Sequence, residues 1–140
     1  MECLIRWTGP GTMGFVAETG SGHALLMDGA PEGGGRDLAP RPMEVVLAGT
    51  GGCTAYDVVV ILRKNGQDVR GCECRLQAER AEADPKVFTR IDFHFVVRGR
   101  QLKPNLVERA VRLSHDKYCS ASAMLAKTAT LSLSWEIVED

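Results

Sequence analysis

Two cysteines stand in settings suited to chemistry. Cys53 closes the run Gly49-Thr50-Gly51-Gly52-Cys53. A glycine inside a helix costs about 1 kcal/mol relative to alanine, so this density predicts the close approach of another backbone beside a thiol. Cys119 opens Cys119-Ser120-Ala121-Ser122, where a short helix is expected to start. A thiol there faces unpaired amide protons and a positive partial charge, which lowers its pKa and favours the thiolate. The two cysteines are 66 positions apart, and spacing alone does not decide whether they meet.

Other polar groups near these thiols have two readings each. Asp57, one turn beyond Cys53, is an acid among apolar residues and needs either a hydrogen-bond partner or a place at a site. Tyr56 would line a pocket or an interface, and His115 would support Cys119 or simply end a helix. Cys72-Glu73-Cys74 puts two thiols on one face of a strand but lacks the second pair that a four-ligand zinc site uses. Cys3 reads as strand filling.

The element that must carry Cys53 is a helix from Pro42 to Lys64. Pro42 suits the first turn, Glu44 complements the positive end of the dipole, and Arg63 and Lys64 complement the negative end. Asn65-Gly66 supplies a left-handed stop. Between these ends Val45, Val46, Leu47, Val58, Val59 and Ile61 surround the axis, which predicts a helix buried on all sides. Glu44, Asp57 and the glycines argue against a membrane span.

Strands are expected over residues 3–7, 13–18 and 23–27, followed by a long glycine-rich loop over 28–41. After the helix, residues 68–83 and 89–98 alternate as a hairpin about Asp84-Pro85-Lys86, with Ile91, Phe93, Phe95 and Val97 on one face. A helix over 104–116, a short helix beginning at Cys119 and a strand over 130–138 complete the chain. The fold class is α+β: antiparallel sheets and a long buried central helix in one domain, residues 1–140. A helix apolar all round needs more cover than one sheet provides, which predicts a homodimer.

Seventeen basic and 18 acidic residues give a net charge of −1, which offers no electrostatic case for nucleic acid or an anionic membrane. At 140 residues the domain does not need disulfides to stand. Five cysteines without metal-type spacing, behind an amino terminus lacking a signal-peptide pattern, lead to the expectation of a reducing cytoplasm.

Pro42-Met43-Glu44 leading into Gly51-Gly52-Cys53-Thr54, then Lys117-Tyr118-Cys119-Ser120-Ala121-Ser122 before a last strand, resembles the OsmC/Ohr family of osmotically inducible and organic hydroperoxide resistance proteins. Within it the two motifs are most similar to a less characterised, YhfA-like branch. The resemblance covers nearly the whole chain. It implies an intertwined dimer that reduces organic hydroperoxides with thiols. Cys53 would be the peroxidatic residue and Cys119 the resolving one, and a small dithiol or a lipoylated protein would reduce their disulfide. No metal, haem or flavin is implied. The family also uses an arginine from the region before the long helix; Arg36 is the residue that matches it, with Arg41 its rival. A glutamate directly after the helix-opening proline holds that arginine in peroxidases of the family. Here Met43 occupies that position and the acid follows at Glu44, carried over as a site residue whose other role is to complement the dipole. The alternative function is binding of an apolar ligand, or redox sensing, without peroxidase turnover.

Overall fold

The computed structural model describes residues 1–140. Contacts divide the chain into two units, Met1–Ala48 and Gly49–Asp140. In the first, β1 (Cys3–Trp7), β2 (Phe15–Thr19) and β3 (Ala24–Met27) form an antiparallel meander in the order β1-β2-β3. Ala17 is buried there, while Leu4, Ile5, Trp7 and Leu26 stay about half exposed. The loop after β3 contains a single 3₁₀ turn, Pro31–Gly33, and is organised by Asp28. Its carboxylate accepts from the amides of Gly29, Arg36 and Leu38 at 2.8, 3.0 and 3.2 Å. These bonds, that of Leu38 foremost, hold the Asp28 carboxyl below the usual carboxylate range.

Helix α1 spans Pro42–Lys64, as the sequence predicts, and both ends have identifiable caps. The Glu44 carboxylate accepts from the Arg41 amide at 2.9 Å, the reciprocal half of a capping box. At the other end Gly66, at φ 69°, donates to the Arg63 carbonyl and Gln67 donates to that of Leu62, which is a Schellman motif. Its own chain supplies part of the cover that the sequence predicts for this helix. Within its own chain α1 buries Thr50, Gly51, Thr54, Val58 and Leu62, a stripe at helical spacing, while Val46 and Tyr56 are 43% and 70% exposed.

The second unit holds a sheet in the order β4-β5-β6, from β4 (Asp68–Arg80), β5 (Phe88–Arg100) and β6 (Thr130–Glu139). β4 and β5 form the expected antiparallel hairpin, but β6 runs parallel to β5, which corrects the expectation of wholly antiparallel sheets. A parallel return needs a crossover, and residues 101–129 supply it through α2 (Pro104–Leu113), one turn of π-helix (Ser114–Tyr118) and α3 (Ser120–Leu125).

Register places Cys72, Cys74 and Leu76 of β4 opposite Val97, Phe95 and Phe93 of β5. Those three β5 residues lie opposite Ile137, Trp135 and Leu133 of β6, completing one apolar face. The helices pack on that face. A Cβ added at Gly51 of α1 would lie 2.7 Å from Leu76 Cδ1, and the Arg112 guanidinium of α2 sits 5.2 Å from the Trp135 ring centre. Ile91, Phe93, Phe95, Val97, Val107 and Val111 fill the core at no more than 2% exposure. The opposite face of the sheet is polar, with His94 Nδ1 and Ser134 Oγ hydrogen-bonded at 2.8 Å and Ser132 donating to Asp92.

Candidate functional site

In the second unit α1 contributes two site groups from one face, Cys53 and Asp57, because residues four apart lie one above the other. The crossover contributes Cys119. The two sulfurs and a carboxylate oxygen of Asp57 all lie within 4.8 Å of one another. Cys53 is half-buried and Cys119 is buried, and neither belongs to a disulfide.

The π turn explains how Cys119 reaches this position. Regular α-helix stops at Leu113, and the Cys119 amide then donates to the Ser114 carbonyl at 2.8 Å, five residues back. Ser114, fully buried, fastens the turn to α1. Its hydroxyl lies 2.8 Å from Thr54 Oγ1, 3.1 Å from the Thr54 carbonyl and 3.2 Å from Asp57 Oδ2. One serine thus ties the crossover to the helix that carries Cys53 and holds the carboxylate near both thiols.

Cys119 caps α3, with its sulfur taking the place of an oxygen acceptor. It accepts from the Ser122 amide at 3.4 Å and from the Ser122 hydroxyl at 3.2 Å. These bonds favour the thiolate, as the helix-start position predicts. Burial outweighs them, however, and together with the neighbouring Cys53 pushes the Cys119 thiol above its ordinary value. The expectation of a lowered Cys119 pKa is therefore corrected: the cap is present and the desolvation is larger.

The other expected residues fall as follows. Arg36 and Glu44 belong to the first unit. The Arg36 guanidinium donates to the Gly11 carbonyl at 3.0 Å, and Glu44 accepts from the Arg41 amide. Of the three glycines, Gly51 alone meets another element, at Leu76; a Cβ at Gly49 or Gly52 would have no neighbour within 4 Å. Cys72 and Cys74 are half-buried, and burial raises both thiols, Cys74 to about 12. His115 has a buried Nδ1 without a hydrogen-bond partner. Ser114 is the site residue that sequence reading missed. A serine at the end of an amphipathic helix carries no local sign that it will bond to residues 60 positions away.

A family model described as OsmC-like protein matches residues 33–134. Protein YhfA of Escherichia coli (strain K12) is 48% identical over 138 residues, covering 99% of this chain and 98% of its own. A crystal structure of a hypothetical protein from Aquifex aeolicus VF5 superposes with a TM-score of 0.84 at 29% identity, covering 99% of this chain and 96% of the other. An organic hydroperoxide resistance protein OsmC from Legionella pneumophila shares the fold at a TM-score of 0.70 and 19% identity, with 97% of each chain covered. With a family match over most of its length and a relative this similar along nearly all of it, the chain belongs to the OsmC-like family.

Proposed function

We propose that the chain is a thiol-dependent reductase of organic hydroperoxides acting in the cytoplasm in defence against oxidative stress, with Cys53 peroxidatic and Cys119 resolving. The observation that carries this reading is the meeting of Cys53, Cys119 and Asp57 within 4.8 Å. The Cys53 thiolate attacks the peroxide, the O–O bond breaks, the alkoxide leaves and takes up a proton, and Cys53 becomes a sulfenic acid. The Cys119 sulfur then attacks Cys53. Asp57 takes the proton from Cys119 and returns it to the departing hydroxide, so that one water leaves as the disulfide forms.

The raised pKa of Cys119 suits this division of labour, because it keeps the resolving thiol protonated until a base within reach removes the proton. An external dithiol, free or carried on a lipoylated protein, would return both thiols, and no resident cofactor enters the cycle. Arg36 is proposed as the guanidinium that stabilises the peroxidatic centre, with Arg41 its rival. Comparing Arg36→Lys with Arg41→Lys ranks them, since lysine keeps the charge and loses the planar fork. We also propose a homodimer, because the α1 residues left exposed within the chain, Val46 and Tyr56, are of types that dimer cores bury. Sedimentation equilibrium giving a monomer would contradict it.

Steady-state consumption of an organic hydroperoxide by wild type and Cys53→Ser tests the enzymatic reading. Wild-type turnover lost in the variant is expected, and equal rates would overturn it. One observation favours the second reading, ligand binding or redox sensing: with Met43 at the family position, the Glu44 carboxylate is engaged by a backbone amide at the helix start. On that reading the thiols react once with peroxide and do not cycle.

A further inference from the structure

We propose that the reduced site binds a thiophilic divalent cation, of which zinc is the biological representative, through Cys53 Sγ, Cys119 Sγ and an Asp57 carboxylate oxygen. The three donor atoms lie within 4.8 Å of one another. Around tetrahedral zinc, with bonds of about 2.3 Å to sulfur and 2.0–2.2 Å to oxygen, donor atoms stand roughly 3.5–3.8 Å apart. Contraction by about 1 Å, within the reach of side-chain rotation, closes the site. Two thiolates and one carboxylate select zinc or cadmium over magnesium or calcium, whose preference is for oxygen.

The donors are also held from behind. Ser114 Oγ lies 3.2 Å from Asp57 Oδ2, and Ser122 donates to Cys119 Sγ through both its amide and its hydroxyl. Such outer contacts orient metal ligands and raise affinity. Three protein ligands leave the fourth position to an exchangeable water, the arrangement of an accessible metal rather than a structural one.

This goes beyond peroxide reduction and does not depend on it. Metal and oxidant compete for the same sulfurs: when a two-electron oxidant converts the bound thiolates to a disulfide, the cation loses two of its three ligands and leaves as the aqua ion. Reduction restores the site. Cys72 and Cys74 are the rival thiols: Cys74 feels the neighbouring Cys119, but the converging group of two sulfurs and a carboxylate is Cys53, Cys119 and Asp57.

The test is a titration of the fully reduced full-length protein with zinc against a chromophoric chelator, paired with cobalt(II) as a spectroscopic probe. One metal per chain is expected, with sulfur-to-cobalt charge-transfer bands of two thiolates. Cys53→Ser and Cys119→Ser should each weaken binding by at least about 100-fold, and Asp57→Asn by about 10-fold with both thiolate bands retained. Cys72→Ser/Cys74→Ser should leave affinity unchanged. Diamide, which oxidises dithiols without peroxide, should abolish binding to wild type, and dithiothreitol should restore it. This arm needs no variant to fold. Absence of stoichiometric binding at micromolar protein would overturn the proposal, as would binding that survives diamide or that follows Cys72 and Cys74. The peroxidase reading is unaffected by any of these results, because no hydroperoxide is present.

Discussion

Cys72 and Cys74 lie two residues apart on one strand, whereas Cys53 and Cys119 come from elements 66 residues apart, yet both pairs sit in the second unit. The strand pair is fixed by an extended backbone that holds its parallel Cβ atoms about 6.6 Å apart, beyond the roughly 3.5–4.5 Å Cβ separation of a disulfide. Burial raises both of its thiols without a compensating donor, Cys74 to about 12. The distant pair is mounted on a helix and a tight turn, has a carboxylate within reach of each sulfur, and gives its buried member two donors from Ser122. Nearness in sequence is thus a poor guide to which thiols share a site; a nearby carboxylate and donors to sulfur distinguish the two pairs.

The largest expected contrast is in turnover. Cys53→Ser should lower hydroperoxide consumption by a factor on the order of 1000 or more, while Cys72→Ser/Cys74→Ser stays within about twofold of wild type. Equal losses in the two variants would erase the distinction. Next in size is Asp57→Asn, expected to slow disulfide formation after sulfenic acid has formed by about 100-fold, measured by stopped flow in a single turnover. If the amide resolves as fast as wild type, the carboxylate is not the proton carrier and the difference between the pairs lies in placement alone.

Smaller effects test how α1 is covered on either side of Cys53. Gly51→Ala places a methyl 2.7 Å from Leu76 Cδ1, so the helix-propensity gain is offset by displacement of Leu76, and a net loss of about 1 kcal/mol is expected. Gly52→Ala meets nothing within 4 Å in its own chain and should stabilise by up to about 1 kcal/mol in denaturant unfolding. A loss at Gly52 instead would indicate that a second copy lies against that face. The smallest effect belongs to Asp28, whose folded pKa is lowered by three amides. Its contribution is fully present above the unfolded value of about 3.9 and is lost as pH falls through the lower folded value. Asp28→Asn should therefore flatten the acid limb of a stability profile and leave the profile near neutrality parallel to wild type.

Much of this architecture was legible from local chemistry. Pro42, Glu44 and Asn65-Gly66 mark the ends of α1 correctly because caps are local, and Ile91, Phe93, Phe95 and Val97 reveal the buried face of β5 because strand periodicity is local. The likeness of two short motifs to a known family drew Cys53 and Cys119 together, which spacing could not do. What escaped depends on distant neighbours. The helix expected to reach residue 116 yields to a π turn where Ser114 bonds Thr54 and Asp57. The sign of the Cys119 shift reverses because burial is a tertiary quantity. Glycine density at residues 49–52 signals one close approach within the chain, at Gly51, where three were equally plausible from sequence.

Whether Cys53 and Cys119 form one redox couple is decided by intact-protein mass and thiol-site mapping after a limiting amount of an organic hydroperoxide is added to the fully reduced protein. A rapid, stoichiometric Cys53–Cys119 disulfide within one chain, reversed by a dithiol, is expected. Survival of both thiols, or slow over-oxidation of Cys53 with Cys119 left free, would contradict it.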